Sequence, residues 1–583
     1  MATYRIPNQE KKITQPNIGE IFGELWSSYN LDLHSNKGKI RASKRMIIAP
    51  DTAGTAPTDV PIGFVYHPYT NGDSYWTVAG TKVFSAASLV ASWDVDAITS
   101  SPTDCSSDYS DIITFNGNLV VSRNSTSVSK LATSGNWSNA FTASGAGTPH
   151  LMTVYASRLY ITGISSGYIV GSCDASFSYA SSGTNTINIG SEQAISCMRS
   201  ASNRIWFSTI NSGGGKGFVY EWDGVNTNAI RRYRLDSSGA VSMIIKDDIP
   251  YIMDTFGNLQ QFNGSGFVTV ARLPVDDSDI LLRALADNSN LRYMHPNGMS
   301  IIEGRICALI NTITAKSATP YYENMPAGIW EYEPTIGLIH KHSPSYKTLV
   351  GGVTDWGQME VAAVGGLAAA NSSSSDTNKT RFLAGVTQYT DISTTLPRVL
   401  LDDFYGATEK KGYFVTSQIQ ASELTENWKA AIVKYTKMGS LNDFIRVKYR
   451  TEKATPTYIS ITWTSTTTFT TSTDISSLVG YECEILRGKG AGATPHIASV
   501  TGSGTYTVTL DETITGATST GRARIQNWKN FPVISNITET NETMQPQGSS
   551  SWIEFKVALT GTGIHPELEE LIISTEVQQK ITI

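Results

Sequence analysis

Apolar positions along this chain come in short runs broken by small and polar residues, and the same phrase keeps returning. Between about residue 60 and residue 400 it reads as a small or polar turn, an apolar strand, then a second strand ending in a polar loop. Asn118-Leu119-Val120-Val121 is one instance and Ser157-Arg158-Leu159-Tyr160-Ile161 another. Asn203-Arg204-Ile205-Trp206-Phe207, Asp248-Ile249-Pro250-Tyr251-Ile252 and Gly304-Arg305-Ile306-Cys307-Ala308 follow. The interval is roughly 40 to 57 residues, close to the period of a propeller blade. Four-stranded sheets cannot bury both faces alone, and radial stacking solves that problem. The pattern predicts a β-propeller over 61–400, with five clear blades and one or two degenerate ones. Trp93, Trp137, Trp222 and Trp330 are expected at the tips of outer strands.

After Leu400 the texture changes. Phe444-Ile445-Arg446-Val447-Lys448-Tyr449-Arg450 and Trp552-Ile553-Glu554-Phe555-Lys556-Val557 alternate over longer stretches than the blade strands do. Clean alternation over that length suits an antiparallel β-sandwich. The predicted sandwich covers 401–473 and 531–583. Residues 474–530 between its halves carry hairpins of their own, such as Tyr481–Leu486 and Thr505–Leu510, and read as a small β module inserted in a loop.

Residues 1–60 read as an arm. Asn17 followed by Glu20 has the form of a capping box, and Ile18, Ile21, Phe22, Leu25 and Trp26 fall at helical spacing. A short amphipathic helix is expected there, packed on the chain's own β domain or docked into a neighbouring subunit. Lys37, Lys39, Arg41, Lys44 and Arg45 form the densest basic cluster. Lys39 and Arg41 alternate with Ile40 and Ala42, as on a half-exposed strand, and are candidates for subunit docking together with the helix stripe.

Composition narrows the class. Of 583 residues, 40% are hydrophobic and only 16% charged, with a net charge of −6. That excludes a strongly basic nucleic-acid binder and agrees with an all-β chain rich in turn residues. The five cysteines, Cys105, Cys173, Cys197, Cys307 and Cys483, are scattered without a Cys-x-x-Cys. They read as small buried apolar residues in a chain assembled in a reducing cytoplasm. No apolar run is long enough to span a membrane.

Candidate chemistry is sparse, and the expectation is a protein that is not an enzyme, with no cofactor and no metal. Gly488-Lys489-Gly490 lacks the upstream glycine and the following Ser or Thr of a P-loop. His340 and His342 share one face of a probable strand and have the spacing to share a metal, but the expected state is a solvated pair. Asp247-Asp248 and Asp402-Asp403 are adjacent pairs, expected in turns or at solvent positions. Ser172-Cys173-Asp174 begins like a sialidase Asp-box turn, but the Gly and Trp do not follow.

An arm, a propeller and a C-terminal β domain on a Ser/Thr/Gly-rich chain resemble virion tail architecture. The phrase Trp26-Ser27-Ser28-Tyr29-Asn30-Leu31-Asp32-Leu33-His34 and the strand Trp552–Val557 have the character of phage structural proteins. In outline the chain is similar to the nozzle proteins of short-tailed bacteriophages, the tail tubular protein B family. The resemblance implies a virion tail component assembled in the host cytoplasm as a homo-oligomeric ring of six copies. That ring would lie below the portal and adaptor, contact tail fibres or spikes, and surround genomic DNA without sequence-specific binding. It would help retain the genome until ejection. Two other readings stand beside it. One is a receptor- or carbohydrate-binding tail protein using Trp137 and Tyr168 as stacking platforms. The other is a propeller glycoside hydrolase, which would need a carboxylate pair across a cleft.

Overall fold

In the computed structural model, tight two-residue turns explain why the returning phrase makes hairpins. Asn116-Gly117, Ala156-Ser157, Asp247-Asp248 and Glu303-Gly304 all have positive φ at both residues. Such turns match the right-handed twist of the strands they join. Each lies between the first and second strand of a blade, and the apolar phrase after it is the second strand, as in Asn118–Ser122, Arg158–Thr162, Ile249–Asp254 and Arg305–Ile310. The second strand is buried because it has a neighbour on either side and a packed blade on each face.

The structure describes residues 3–6, 25–32, 39–50, 57–105, 110–123, 127–142, 150–162, 168–191, 194–211, 215–273, 293–311, 325–334, 337–348, 358–370, 382–402, 410–416, 418–420, 426–436, 438–439, 443–452, 454–488, 490–514, 519–535, 541–546, 549–561 and 566–577. Among them are seven sheets whose innermost strands follow one another in a closed circle. These strands are Pro61–Tyr66, Ile112–Phe115, Met152–Tyr155, Ala194–Ser200, Ala240–Lys246, Met299–Ile302 and Val361–Ala369, and the last of them meets the first. The chain contains a seven-bladed propeller. Blade seven closes it with a borrowed strand: Met46–Ile48 pairs antiparallel with Thr395–Asp402 and parallel with Pro344–Thr348. At the closure, the glycines of Val361–Ala369 let two backbones touch. A Cβ on Gly365 would stand 1.9 Å from the Pro61 carbonyl oxygen.

The sandwich follows. One sheet contains Glu426–Tyr435 and Glu567–Val577, and the other Lys410–Thr416, Phe444–Arg450 and Trp552–Gly561. Between them lie Phe414, Ile445, Val447, Phe555, Val557 and Leu571, all buried. The described amino-terminal segments do not form a separate arm. Thr3–Ile6, Leu31–Asp32 and Ile40–Ala42 lie in the first sandwich sheet and Leu25–Tyr29 in the second, before Met46–Ile48 crosses to the propeller. An arm cannot be told from an edge strand by its own residues when the pairing partners lie roughly 400 to 570 residues away.

The inserted module begins earlier than expected. Thr457–Trp463 and Thr468–Thr471 belong to it, because Thr457–Trp463 registers on Thr520–Gln526 with Ile459 opposite Ala523. The module is a six-stranded sheet over Thr457–Gln526 that buries Ile459, Ile461, Phe469, Ile485, Val508 and Ile525 on one face.

Candidate functional site

The three bodies meet at a charged junction, and alternation puts the charges there. In Phe444–Arg450, the residues Ile445, Val447 and Tyr449 enter the sandwich core, so Arg446, Lys448 and Arg450 point out of the opposite face. In Trp552–Gly561, Ile553, Phe555 and Val557 do the same, which turns out Glu554 and Lys556. The module's sheet then covers that face. Its Cys483 and Ile485 enter the module core, leaving Glu482 and Glu484 facing the lysines.

Lys448 and Lys556 are direct cross-strand neighbours, an arrangement that is unfavourable for like charges. Glu482 resolves it by dividing its oxygens. Oε2 accepts from Lys448 Nζ, and Oε1 accepts from Lys556 Nζ at 2.7 Å. Lys448 Nζ also donates to the Thr494 carbonyl. Glu484 takes Lys556 Nζ at 3.2 Å and Arg524 Nε at 3.0 Å. Lys556 stands over the Tyr413 ring at 4.0 Å and Arg450 over Trp528 at 4.1 Å. Lys448, Glu482, Glu484 and Arg524 are each 0% exposed. Burial pulls Lys448 down to about 8, with Lys556 and Arg446 adding to the effect and Glu482 opposing it. Burial alone would push Glu482 up, but the two lysines outweigh it and hold the carboxyl below its ordinary range. His496 is driven down to about 2 by burial and the nearby cations, so it stays neutral.

Farther along the same outer face of the module, where it meets the propeller, the sign reverses. Glu360, at the start of blade seven, is held by Arg487 Nε at 2.9 Å and Arg522 Nη1 at 3.0 Å. Arg487 also lies 3.6 Å from the Tyr389 ring centroid and donates to the Ile392 carbonyl at 2.9 Å. The module is therefore acidic toward the sandwich and basic toward the propeller. At the centre, Tyr29 stacks between His340 and Tyr413, at centroid distances of 5.2 and 5.4 Å, with Met359, Leu486 and Trp528 around it.

The hub of the propeller is tied off by its own chain. Asn297, in the turn before blade six, donates to Asp111 Oδ1 of blade two at 2.8 Å and accepts from Arg199 of blade four at 2.9 Å. Its carbonyl accepts from Leu367 N–H of blade seven at 2.9 Å. The neighbouring Pro296 carbonyl accepts from Ser242 of blade five at 2.7 Å, and Asp111 Oδ2 accepts from Met152 N–H of blade three at 2.9 Å. Burial pushes the Asp111 carboxyl up, opposed by those donors and by Arg199.

The expected docking residues are placed differently from expectation. Ile18, Ile21 and Phe22 lie outside the described residues. Leu25 and Trp26 lie on a β-strand paired with Lys410–Thr416, so the helical stripe does not continue through them. Lys39 Nζ binds Glu569 at 3.1 Å and Glu567 at 3.5 Å, and Arg41 binds Asp32 at 2.9 Å. Both cations are spent on the chain's own sandwich. The histidine pair is not solvated: His340 Nδ1 accepts from Asn30 N–H at 2.8 Å, its Nε2 faces the Ala327 carbonyl at 2.9 Å, and burial takes it down to about 3. His342 is buried against the Lys44 carbonyl. No group of three metal-ligating side chains occurs among the described residues. Asp247-Asp248 is the expected turn, but Asp402 is buried on a strand, and Asp403 lies outside the described residues. Trp137 is buried with its indole N–H on Asp96, which removes it as a stacking platform, and Tyr168 is half-buried. Trp93, Trp222 and Trp330 are likewise core residues rather than tips. The five cysteines are free and buried as expected. The junction was missed because each of its strands, taken alone, reads as an ordinary half-solvated one. The one signal was sign segregation, with Lys and Arg alternating in 446–450 and Glu in 482–484.

No protein-family model matches the chain. No curated protein matches it in sequence. Solved structures show weak likeness. A chain of the mitotic checkpoint complex has 9% identity and a TM-score of 0.35, covering 62% of this chain and 93% of its own. BamB from Moraxella catarrhalis has 14% identity and a TM-score of 0.32, covering 64% and 96%. The Pan2 WD40 domain of Neurospora crassa has 9% identity and a TM-score of 0.29, covering 40% and 72%. Among the described residues no helix is long and apolar enough to cross a membrane.

Proposed function

We propose that the chain is a structural subunit of a short-tailed phage tail, a nozzle-type component that closes into a ring around the path of the genome. One observation supports this most: three β bodies are locked into a single block, by an amino-terminal segment threaded through the sandwich and blade seven and by a buried ionic junction. A block of this kind holds its shape under load, as a ring subunit that confines packed DNA must. Identical copies joined by heterologous contacts that close by rotation give such a ring. A net charge of −6 also leaves the subunit with little general attraction for the phosphate backbone passing it. Adaptor proteins above and fibres or spikes at the side are the partners this role requires.

Native mass spectrometry and electron microscopy of the purified chain test the reading. The expected result is a closed ring whose mass is a multiple of 63.2 kDa, formed alone or on adding purified tail components. A chain that stays monomeric in both conditions and is absent from assembled particles would refute it.

A further inference from the structure

The outermost strand of blade four is unlike those of the other blades. Arg231–Arg234 reads Arg-Arg-Tyr-Arg, and its three arginines are exposed. It pairs on one side with Phe218–Trp222, and among the described residues no strand pairs with its other edge. The outer strands of blades six and seven, by contrast, are covered by the rest of the chain.

Apolar side chains lie along the same rim. Ile230, immediately before the strand, is 43% exposed, and Val225 in the preceding loop 53%. These are two of only eight large hydrophobic side chains exposed to this degree among the described residues. On one face of the strand, Tyr233 packs on Phe262 and Phe267 of blade five at centroid distances of 5.0 and 6.2 Å. Both faces of the strand carry the pattern. Arg232 lies over Phe218 at 5.0 Å on one face, and Arg231 accompanies Tyr233 on the other. The nearest acid on the strand's neighbour, Glu221, is already engaged by Arg204 at 3.2 Å and Tyr233 Oη at 2.8 Å.

Arginines on an edge strand can serve simply to discourage pairing. A guard of that kind has no use for Ile230 and Val225 beside it, because exposed aliphatics invite contact. We propose that this rim is a docking surface for an acidic protein segment in extended conformation, which adds as a strand to the free edge of Arg231–Arg234. Backbone hydrogen bonds would supply part of the affinity, as in other strand additions. Acidic side chains would meet Arg232 and Arg234 on one face, apolar ones would lie against Tyr233 on the other, and the end of the segment would cover Ile230. The open backbone edge is what favours a peptide over a nucleic acid, since strand addition satisfies those amides and a phosphate backbone does not. The proposal stands whether or not the chain works in a phage tail.

The test uses the full chain, a capped peptide of alternating Glu and Val, a Lys/Val peptide of the same length, and a double-stranded oligonucleotide. The expected result is binding of the Glu/Val peptide alone, weakened by salt, with slowed amide exchange at residues 231–234. The triple variant Arg231→Glu, Arg232→Glu, Arg234→Glu should weaken it by about tenfold or more. These side chains are exposed, so the variant should unfold like the parent. Ile230→Ser with Val225→Ser serves as a second variant, which should weaken binding without altering its salt dependence. No binding of the Glu/Val peptide, binding unchanged in the triple variant, protection elsewhere than at 231–234, or tighter binding of the oligonucleotide would each overturn the proposal.

Discussion

Glu482→Gln isolates charge from shape at the junction. Gln fills the same volume, so packing on Lys448 and Lys556 is kept while one negative charge is lost. The amide oxygen can still accept from one of the lysines, but the other then faces an amide NH2; Lys448 keeps the Thr494 carbonyl, and Lys556 keeps Glu484 at 3.2 Å and the Tyr413 ring. Removing one partner from a buried ion pair costs about 3–5 kcal/mol, because the remaining charge stays buried without compensation. The loss has a pH signature. Lys448 is already pulled down to about 8, and without Glu482 it falls further. Above that pH the lysine is neutral in both proteins and its share of the penalty vanishes. As pH drops toward 6 the parent carries a paired ammonium and the variant cannot, so the gap widens. Denaturant unfolding of both proteins at a series of pH values measures it, with amide exchange in 457–526 reporting release of the module. The double variant Lys448→Met with Glu482→Leu should recover much of the loss, since a well-packed apolar pair can replace a buried ionic one. A Glu482→Gln difference within about 0.5 kcal/mol of zero, the ordinary range for surface substitutions, or one independent of pH, would refute the account of the junction.

Other outcomes follow from the same geometry. In the parent, Lys448 binds its proton less tightly when folded than its ordinary 10.5. The unfolded chain therefore holds more protons between about 8 and 10.5, and this residue's contribution to stability should rise with pH across that window, by about 3 kcal/mol at most. Glu482 works in the other direction: its carboxyl lies below the ordinary range, so its contribution is present at neutral pH and is lost on acidification through its folded value, which a pH titration of module exchange would read. Ile47→Ala removes a 1% exposed side chain from the strand that closes blade seven and should cost about 2–5 kcal/mol, with amide exchange rising first in 382–402. Gly365→Ala places a methyl 1.9 Å from the Pro61 carbonyl oxygen. Calorimetry should show a loss of about 1–3 kcal/mol or more as blades one and seven are forced apart.

Local pattern determined much of this protein. The second strand of each middle blade was legible because an apolar run after a polar turn is a local event, and the β-only class followed from composition and alternation. Leu25 and Trp26 show where local pattern fails. Their helical spacing is genuine, but Lys410–Thr416 offers them a sheet edge, and pairing in a buried sheet outweighs the weak preference of a short isolated helix. Thr457–Trp463 could not be assigned to the module from its own residues, since alternation looks the same in any half-buried strand. Its owner was decided by Thr520–Gln526, about sixty residues on. The buried junction belongs wholly to the tertiary structure. Alternation told that Lys448 and Lys556 leave the sandwich core, but not that Glu482 waits on the other side. Whether a charge faces water or an opposite charge depends on which surface comes to cover it, and strand period carries no information about that.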